Sequence, residues 1–262
     1  MAFFKRLALL SCLIGVSCNQ SRAATSARGD EAKQPVAASG SSLKTHPLAD
    51  GVLRVWPIGD SITEGVEGGY RGNLYKLLRA RDIDVDYVGT LRDSSTKVSE
   101  KEHDGHPGFT ISNAQENFDV WTKSVPEPDV VLMMLGTNDF AWWTNVTVAE
   151  HHGYFVKFVD HLLERLPHSV VVVATIPPQS PKVIEDVRLD RQKMTDDFNN
   201  MVRRWVPAQP SYGKRLFLAD AARELRLSDL SDGIHPSKEG HAKLAKVWLK
   251  AMDQVLAQKK QP

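Results

Sequence analysis

From residue 52 onward, short apolar runs alternate with amphipathic stretches. VLRVWPI (52–58) and VDYVG (85–89) predict short strands. PDVVLMMLG (128–136), SVVVVATIP (169–177) and RLFLADA (215–221) are denser, and the first two have the unbroken apolar character of parallel strands covered on both faces. Between them the period changes. In 68–82, Tyr70, Leu74, Leu77 and Leu78 fall on one helical face. Helices are also predicted over 111–124, 147–166 and 189–206. After Pro236, Leu244, Trp248, Met252, Val255 and Leu256 form one stripe. Strand and helix therefore alternate five times, without internal repeats. This predicts an α/β fold: a three-layer α/β/α sandwich with a five-stranded parallel sheet and right-handed crossovers. In such sheets reactive side chains lie just past the carboxyl ends of the strands. Chemistry is expected after residues 58, 89, 135, 176 and 220.

The first 50 residues break this pattern. Lys5 and Arg6 precede an apolar run from Leu7 to Val16, the layout of a secretory signal. Two endings fit. Ser21-Arg22-Ala23 has the small residues that a signal peptidase needs, giving a signal over 1–23. Gly15-Val16-Ser17-Cys18 resembles a bacterial lipobox with Cys18 as the lipidated residue, although Gly15 stands where leucine is usual. Residues 24–47 are small, polar and aperiodic, as in a flexible linker. The expectation is an exported domain over 48–262, periplasmic, extracellular or anchored to a membrane through Cys18 alone.

Composition narrows the chemistry. Both cysteines, Cys12 and Cys18, lie in the leader, so the domain has no disulfide, cysteine nucleophile or cysteine-bound zinc. The formal net charge is +1, with no long run of one sign, so no electrostatic footprint for nucleic acid is present. No long apolar span follows the leader.

Four polar blocks fall where the sheet predicts chemistry. Gly59-Asp60-Ser61 follows the first strand, GHPGFT (105–110) lies in the loop after the second, and GTND (136–139) follows the third. DGIHP (232–236) precedes the last helix. Asp232 and His235 are three residues apart, so the carboxylate can fold back onto one ring nitrogen and leave the other free as a base. A plain helix entry explains Pro236 but leaves His235 without a task. The Asn138 amide can donate to a developing oxyanion, and a backbone N–H at Gly108 can do the same. Taken singly, GTND and HPGFT are ordinary loop compositions.

Together the blocks read G-D-S-I-T, a loop glycine, G-T-N-D and D-x-x-H, in that order. This pattern resembles the SGNH hydrolases, the GDSL esterase and lipase superfamily, across roughly 52–257. GDSI stands where the family name has GDSL. The resemblance implies a flavodoxin-like fold and a set of roles. Ser61 would be the nucleophile, His235 the base and Asp232 its orienting group. The oxyanion hole would be the N–H groups of Ser61 and Gly108 with the side chain of Asn138, Gly89 being a rival to Gly108. No metal or cofactor would be needed. GDSITEG…GGYR, DYVGT, HDGHPGFTI and GTNDF resemble the carbohydrate-esterase branch, which includes acetylxylan esterases, so the implied partner is an acetylated carbohydrate or another small ester. A lysophospholipase or thioesterase of the same superfamily is the second reading, and a carbohydrate-binding module with an inactive site is the third.

Other residues have competing readings. Asp60, His106 and Trp142 are candidate substrate contacts. His103-x-x-His106 could chelate a metal but lacks a third ligand, so both histidines are expected in a loop by the cleft. His151 and His152 are adjacent on a helix and diverge by about 100°. Phe140, Trp142 and Trp143 are either packing aromatics or the wall of a sugar or acyl pocket. Arg71 either touches substrate or caps a helix. Thr175-Ile176-Pro177-Pro178-Gln179 is expected to form a rigid rim. Asn145 heads a glycosylation acceptor that a bacterial-type leader would leave unused.

Overall fold

The computed structural model describes residues 51–93, 100–140, 147–180, 182–184, 187–189 and 191–258, all within a unit spanning 43–262. Cys18, Trp142, Trp143 and Asn145 lie outside the described residues.

The five predicted strands are present as β1 (Val52–Gly59), β2 (Asp84–Tyr87), β5 (Val130–Met134), β6 (Val170–Ala174) and β9 (Leu216–Ala219). They pair in parallel in the order β2-β1-β5-β6-β9. Every residue of β5 and β6 is buried, which is why their sequences are apolar without alternation.

Among the described residues the sheet has seven strands rather than the expected five. Glu102–Gly105 forms β4, which adds to the end of β1 in parallel through Ile58 with Asp104 and Gly59 with Gly105. Leu91–Arg92 forms β3, antiparallel to β4. Their sequences read as loop because β4 is polar. Its His103 and Asp104 are nevertheless buried, Asp104 accepting from Trp56 on β1 and His103 from the Gly105 N–H of β4 itself. A separate two-stranded hairpin joins β7 (Lys182–Ile184) and β8 (Val187–Leu189).

The helices are α1 (Ser61–Glu64), α2 (Gly69–Arg79), α3 (Ile111–Trp121), α4 (Val148–Arg165), α5 (Arg191–Trp205), α6 (Ala221–Glu224) and α7 (Lys238–Gln258). Capping boxes at Thr110 and Thr147 start α3 and α4. α2 packs on α7, and α3, α4 and α5 pack in series. Right-handed crossovers place α2 and α7 on one face and α3 to α5 on the other. The chain leaves β1 in one direction for β2 and crosses back past it to β5. The carboxyl ends of β1 and β5 therefore flank a topological switch point, the place where such sheets open a crevice. No described helix is long and apolar enough to cross a membrane.

Candidate active site

Ser61 follows directly on β1 as the first residue of α1. Its side chain is half-buried, and its N–H stands at a helix start, where no intrahelical acceptor exists. Asp60 caps α1: its Oδ1 accepts from the Ile62 N–H at 2.9 Å. Asp60 is fully buried, so it serves the turn and does not reach the substrate surface as the sequence allowed. Burial pushes its carboxyl up to about 6, with Asp139 adding to the rise while the Ile62 N–H, Thr137 and His235 oppose it.

Ser61 Oγ lies 2.9 Å from His235 Nε2, across 174 residues of sequence. His235 Nδ1 lies 2.7 Å from Asp232 Oδ2. A carboxylate accepts the Nδ1–H, which leaves the Nε2 lone pair facing Ser61 Oγ–H. Asp232 Oδ1 accepts from the N–H groups of Ile234 (2.9 Å) and His235 (2.7 Å). Partial burial works to raise the Asp232 carboxyl, but the hydrogen bonds from His235 and Ile234 outweigh it and hold it down at about 2. The turn is fastened by Ser231 N–H to His235 O and by Ser180 N–H to Gly233 O, both at 2.8 Å. It leads into α7 through Ser237, whose N–H donates to Asp229 O at 2.7 Å.

His106-Pro107-Gly108-Phe109 is a turn closed by the Phe109 N–H donating to His106 O at 3.1 Å. Gly108 sits in it at φ +80°, the value that the third position of a type II turn demands and that glycine adopts without cost. The turn's own hydrogen bond does not use the Gly108 N–H, and this glycine is exposed. Gly89 is placed differently. A Cβ there would lie 2.3 Å from the backbone carbon of His103, so Gly89 serves the contact with β4.

Asn138 Nδ2 donates to Phe109 O at 3.0 Å, which leaves its second amide hydrogen for another acceptor. Asp139, beside it, accepts from the Ile111 N–H at the start of α3 and lies 3.2 Å from buried His151 Nδ1. Phe140 is fully buried against His151 and Phe198, so it is a packing aromatic. The His106 N–H donates to Gly59 O at 3.0 Å. The serine, glycine and asparagine blocks are thus laced together at the ends of β1, β4 and β5.

His106 is anchored from within the protein. Its Nε2 lies 3.0 Å from Asp104 Oδ1, and its ring is stacked on Trp121 and Phe109, with centroids at 4.7 and 4.5 Å. Asp104 also accepts from Trp56 Nε1 (2.6 Å), from the Thr90 N–H (3.0 Å) and from the Thr90 hydroxyl. His103 lies in a strand rather than a loop. Its Nδ1 accepts from the Gly105 N–H at 3.0 Å, and burial, with Arg71 nearby, holds its imidazolium pKa down at about 4. Among the described residues no three His, Cys, Asp or Glu side chains converge as a metal site.

Of its two expected tasks, Arg71 takes the helix cap and not a substrate contact. It is fully buried, donating through Nε to Thr63 O (2.8 Å) and through Nη2 to Glu64 O and Asp93 Oδ2 (2.7 Å each). It grips the carboxyl end of the helix that Ser61 begins. His241 on α7 packs against Gly65 and Gly69 behind the same helix, and burial lowers its pKa to about 4. The signal for Arg71 was present in Gly68-Gly69-Tyr70-Arg71, where a lone arginine follows a tight glycine turn. His241 carried no such signal.

The chain is similar to known esterases. A multidomain esterase of Ruminococcus flavefaciens is 27% identical over 231 residues, covering 78% of this chain. The chain spans only 29% of that protein's length. The family 3 carbohydrate esterase of Clostridium thermocellum superposes with a TM-score of 0.66 at 25% identity, over 79% of this chain and 98% of the other. A family 3 carbohydrate esterase from Talaromyces cellulolyticus gives a TM-score of 0.67 at 24% identity, over 79% and 99%. The profile of the GDSL-like lipase/acylhydrolase family matches residues 58–243, from the end of β1 into α7, and the chain belongs to that family.

Proposed function

We propose that this carboxylic ester hydrolase is an exported serine esterase that removes short acyl groups, chiefly acetyl, from carbohydrate. The observation that carries the reading is the line from Ser61 Oγ to His235 Nε2 (2.9 Å) and from His235 Nδ1 to Asp232 Oδ2 (2.7 Å). Ser61 Oγ attacks the ester carbonyl while His235 Nε2 takes its proton, and Asp232 stabilises the imidazolium that forms. The carbonyl oxygen becomes an oxyanion held by the N–H groups of Ser61 and Gly108 and the free amide hydrogen of Asn138. His235 then protonates the leaving alcohol as the C–O bond breaks, leaving an acetyl-Ser61 ester. Water, deprotonated by His235, attacks that ester and releases acetate.

The carbohydrate part of the reading is supported by the two structural relatives, both carbohydrate esterases. Export rests on the leader, with Cys18 as the lipidated residue where the protein is anchored. The test is an acyl-chain profile on nitrophenyl esters from acetate to laurate, with Ser61→Ala as the blank. Acetate is expected to be the preferred acyl group, and Ser61→Ala to lose activity by about 10⁴-fold or more. A preference for long chains would instead favour a lysophospholipid or thioester substrate. Unchanged hydrolysis by Ser61→Ala would overturn the mechanism.

A further inference from the structure

A groove of about 660 Å³ lies beside β9, away from Ser61. Among the described residues β9 is an edge strand, paired with β6, and α7 passes alongside it. The floor is apolar, with Leu218 from β9 and Val247 from α7. The walls are charged, with four cationic side chains against two carboxylates. Asp220, one of the carboxylates, is already held by Arg203 (2.8 Å) and Arg223 (3.0 Å). Lys243 is paired with Asp229 at 2.6 Å. Lys246 and Lys250 are exposed and make no ion pair among the described residues. Four residues apart, they stand one above the other on α7. The groove therefore presents a row of positive charge over an apolar floor.

Its shape and position narrow the ligand. Tyr212 lines the groove at 37% exposure, offering an aromatic surface to a ring. A concave site with an aromatic wall, and with Glu224 able to accept from hydroxyls, suits a sugar ring better than a flat membrane surface. The inner end of the groove is also joined to the catalytic turn. Asp229, which holds Lys243, accepts the Ser237 N–H through its backbone oxygen, and Asp232 follows three residues later. From there the groove runs outward along α7, from Lys243 to Gln254, a rise of about 16 Å.

We propose that this groove is an accessory site for carboxylate-bearing sugar units, holding an acidic polysaccharide by its uronates while an ester elsewhere on the chain meets Ser61. As a substrate subsite it rests on the carbohydrate-esterase reading above. As an anionic-saccharide site it stands on the groove alone.

The experiment is affinity electrophoresis of the full chain carrying Ser61→Ala, in gels containing either glucuronate-bearing xylan or a uronate-free arabinoxylan. Retention is expected in the first gel only, and it should vanish at high salt, where screening shortens to about 3 Å near 1 M. Lys246→Glu with Lys250→Glu should abolish it. Lys76→Glu with Lys157→Glu, the same charge change on exposed positions of α2 and α4, should leave it intact. Equal loss in both double variants would reduce the effect to net charge and overturn the site. So would equal retention in both gels, or binding to phosphatidylglycerol vesicles without retention by xylan.

With Ser61 intact, Lys246→Glu with Lys250→Glu should hydrolyse nitrophenyl acetate normally. Its KM for acetylated glucuronate-bearing xylan should rise about three- to tenfold, as expected for two partly screened ion pairs. Retention without any acetyl ester hydrolysis by the unmodified chain would uphold the saccharide site and sink the esterase reading. Hydrolysis without retention would do the reverse.

Discussion

The two sides of the proposed active site are held in different ways. On the nucleophile side, Ser61, Gly108 and Asn138 come from three segments locked by buried polar groups. Asp60, Asp104 and Asp139 are each at most 1% exposed, and Asp104 alone accepts from Trp56, Thr90 and His106. On the base side, the Asp232 and His235 side chains keep 53% and 42% exposure. Among the described residues the hydrogen bonds of the Asp232 carboxylate all come from within three residues. Tertiary packing therefore sets the geometry on one side, and a local turn sets it on the other. Substitutions should accordingly entangle stability with catalysis at the nucleophile side and separate them at the base side.

The base side gives the largest expected effect. Asp232→Ala removes the acceptor that fixes the His235 tautomer, and kcat on nitrophenyl acetate should fall about 10³- to 10⁴-fold. Because the carboxylate is exposed, unfolding in urea should shift by less than about 1 kcal/mol. A large loss of stability would break the comparison by showing that the turn also supports the fold. Asn138→Ala comes next. In the proposed mechanism this removes one oxyanion donor, for an expected cost of about 10²- to 10³-fold in kcat. The Phe109 carbonyl loses its donor as well, so stability should drop by about 1–3 kcal/mol. A variant that lost activity with an unchanged urea midpoint would show that the Gly108 turn holds without its link to Asn138.

The same contrast explains what could be read from the sequence. The Asp232–His235 contact was legible because its geometry is local: in a turn, an aspartate three residues before a histidine can fold back onto the ring. The five parallel strands were legible because strands buried on both faces must be apolar. β4 was not, since Glu102-His103-Asp104-Gly105 has the composition of a loop, and its burial is compensated by Trp56 and Thr90, neither of which marks a partner in sequence. For the same reason the packing of the His106 ring on Asp104, Trp121 and Phe109 left no mark in the sequence. Asp60 read as reaching the cleft when it is the buried cap of α1. Residues whose work is defined by distant neighbours give no local signal.

The smallest expected effect sharpens the account of the nucleophile side, and it is a pH dependence. Burial raises the Asp60 carboxyl to about 6, from an ordinary value of 3.8. Between those values the folded chain holds a proton at Asp60 that the unfolded chain releases. The contribution of Asp60 therefore falls as pH rises from about 4 through 6, by at most about 3 kcal/mol. His103 and His241 act oppositely. Both are lowered to about 4, so each makes the unfolded chain the better proton binder between about 4 and 6.5, and stability from them rises with pH. The wild-type profile is the sum of opposing slopes and can look flat. Asp60→Asn keeps a side-chain oxygen to cap the Ile62 N–H and removes only the titration. Urea unfolding at intervals from pH 4 to 7 should then show the variant gaining steadily on the wild type as pH rises, with the histidine slope exposed. Parallel profiles would mean that Asp60 ionises normally inside the fold. The carboxylate beside Ser61 would then be solvated in a way its full burial does not allow.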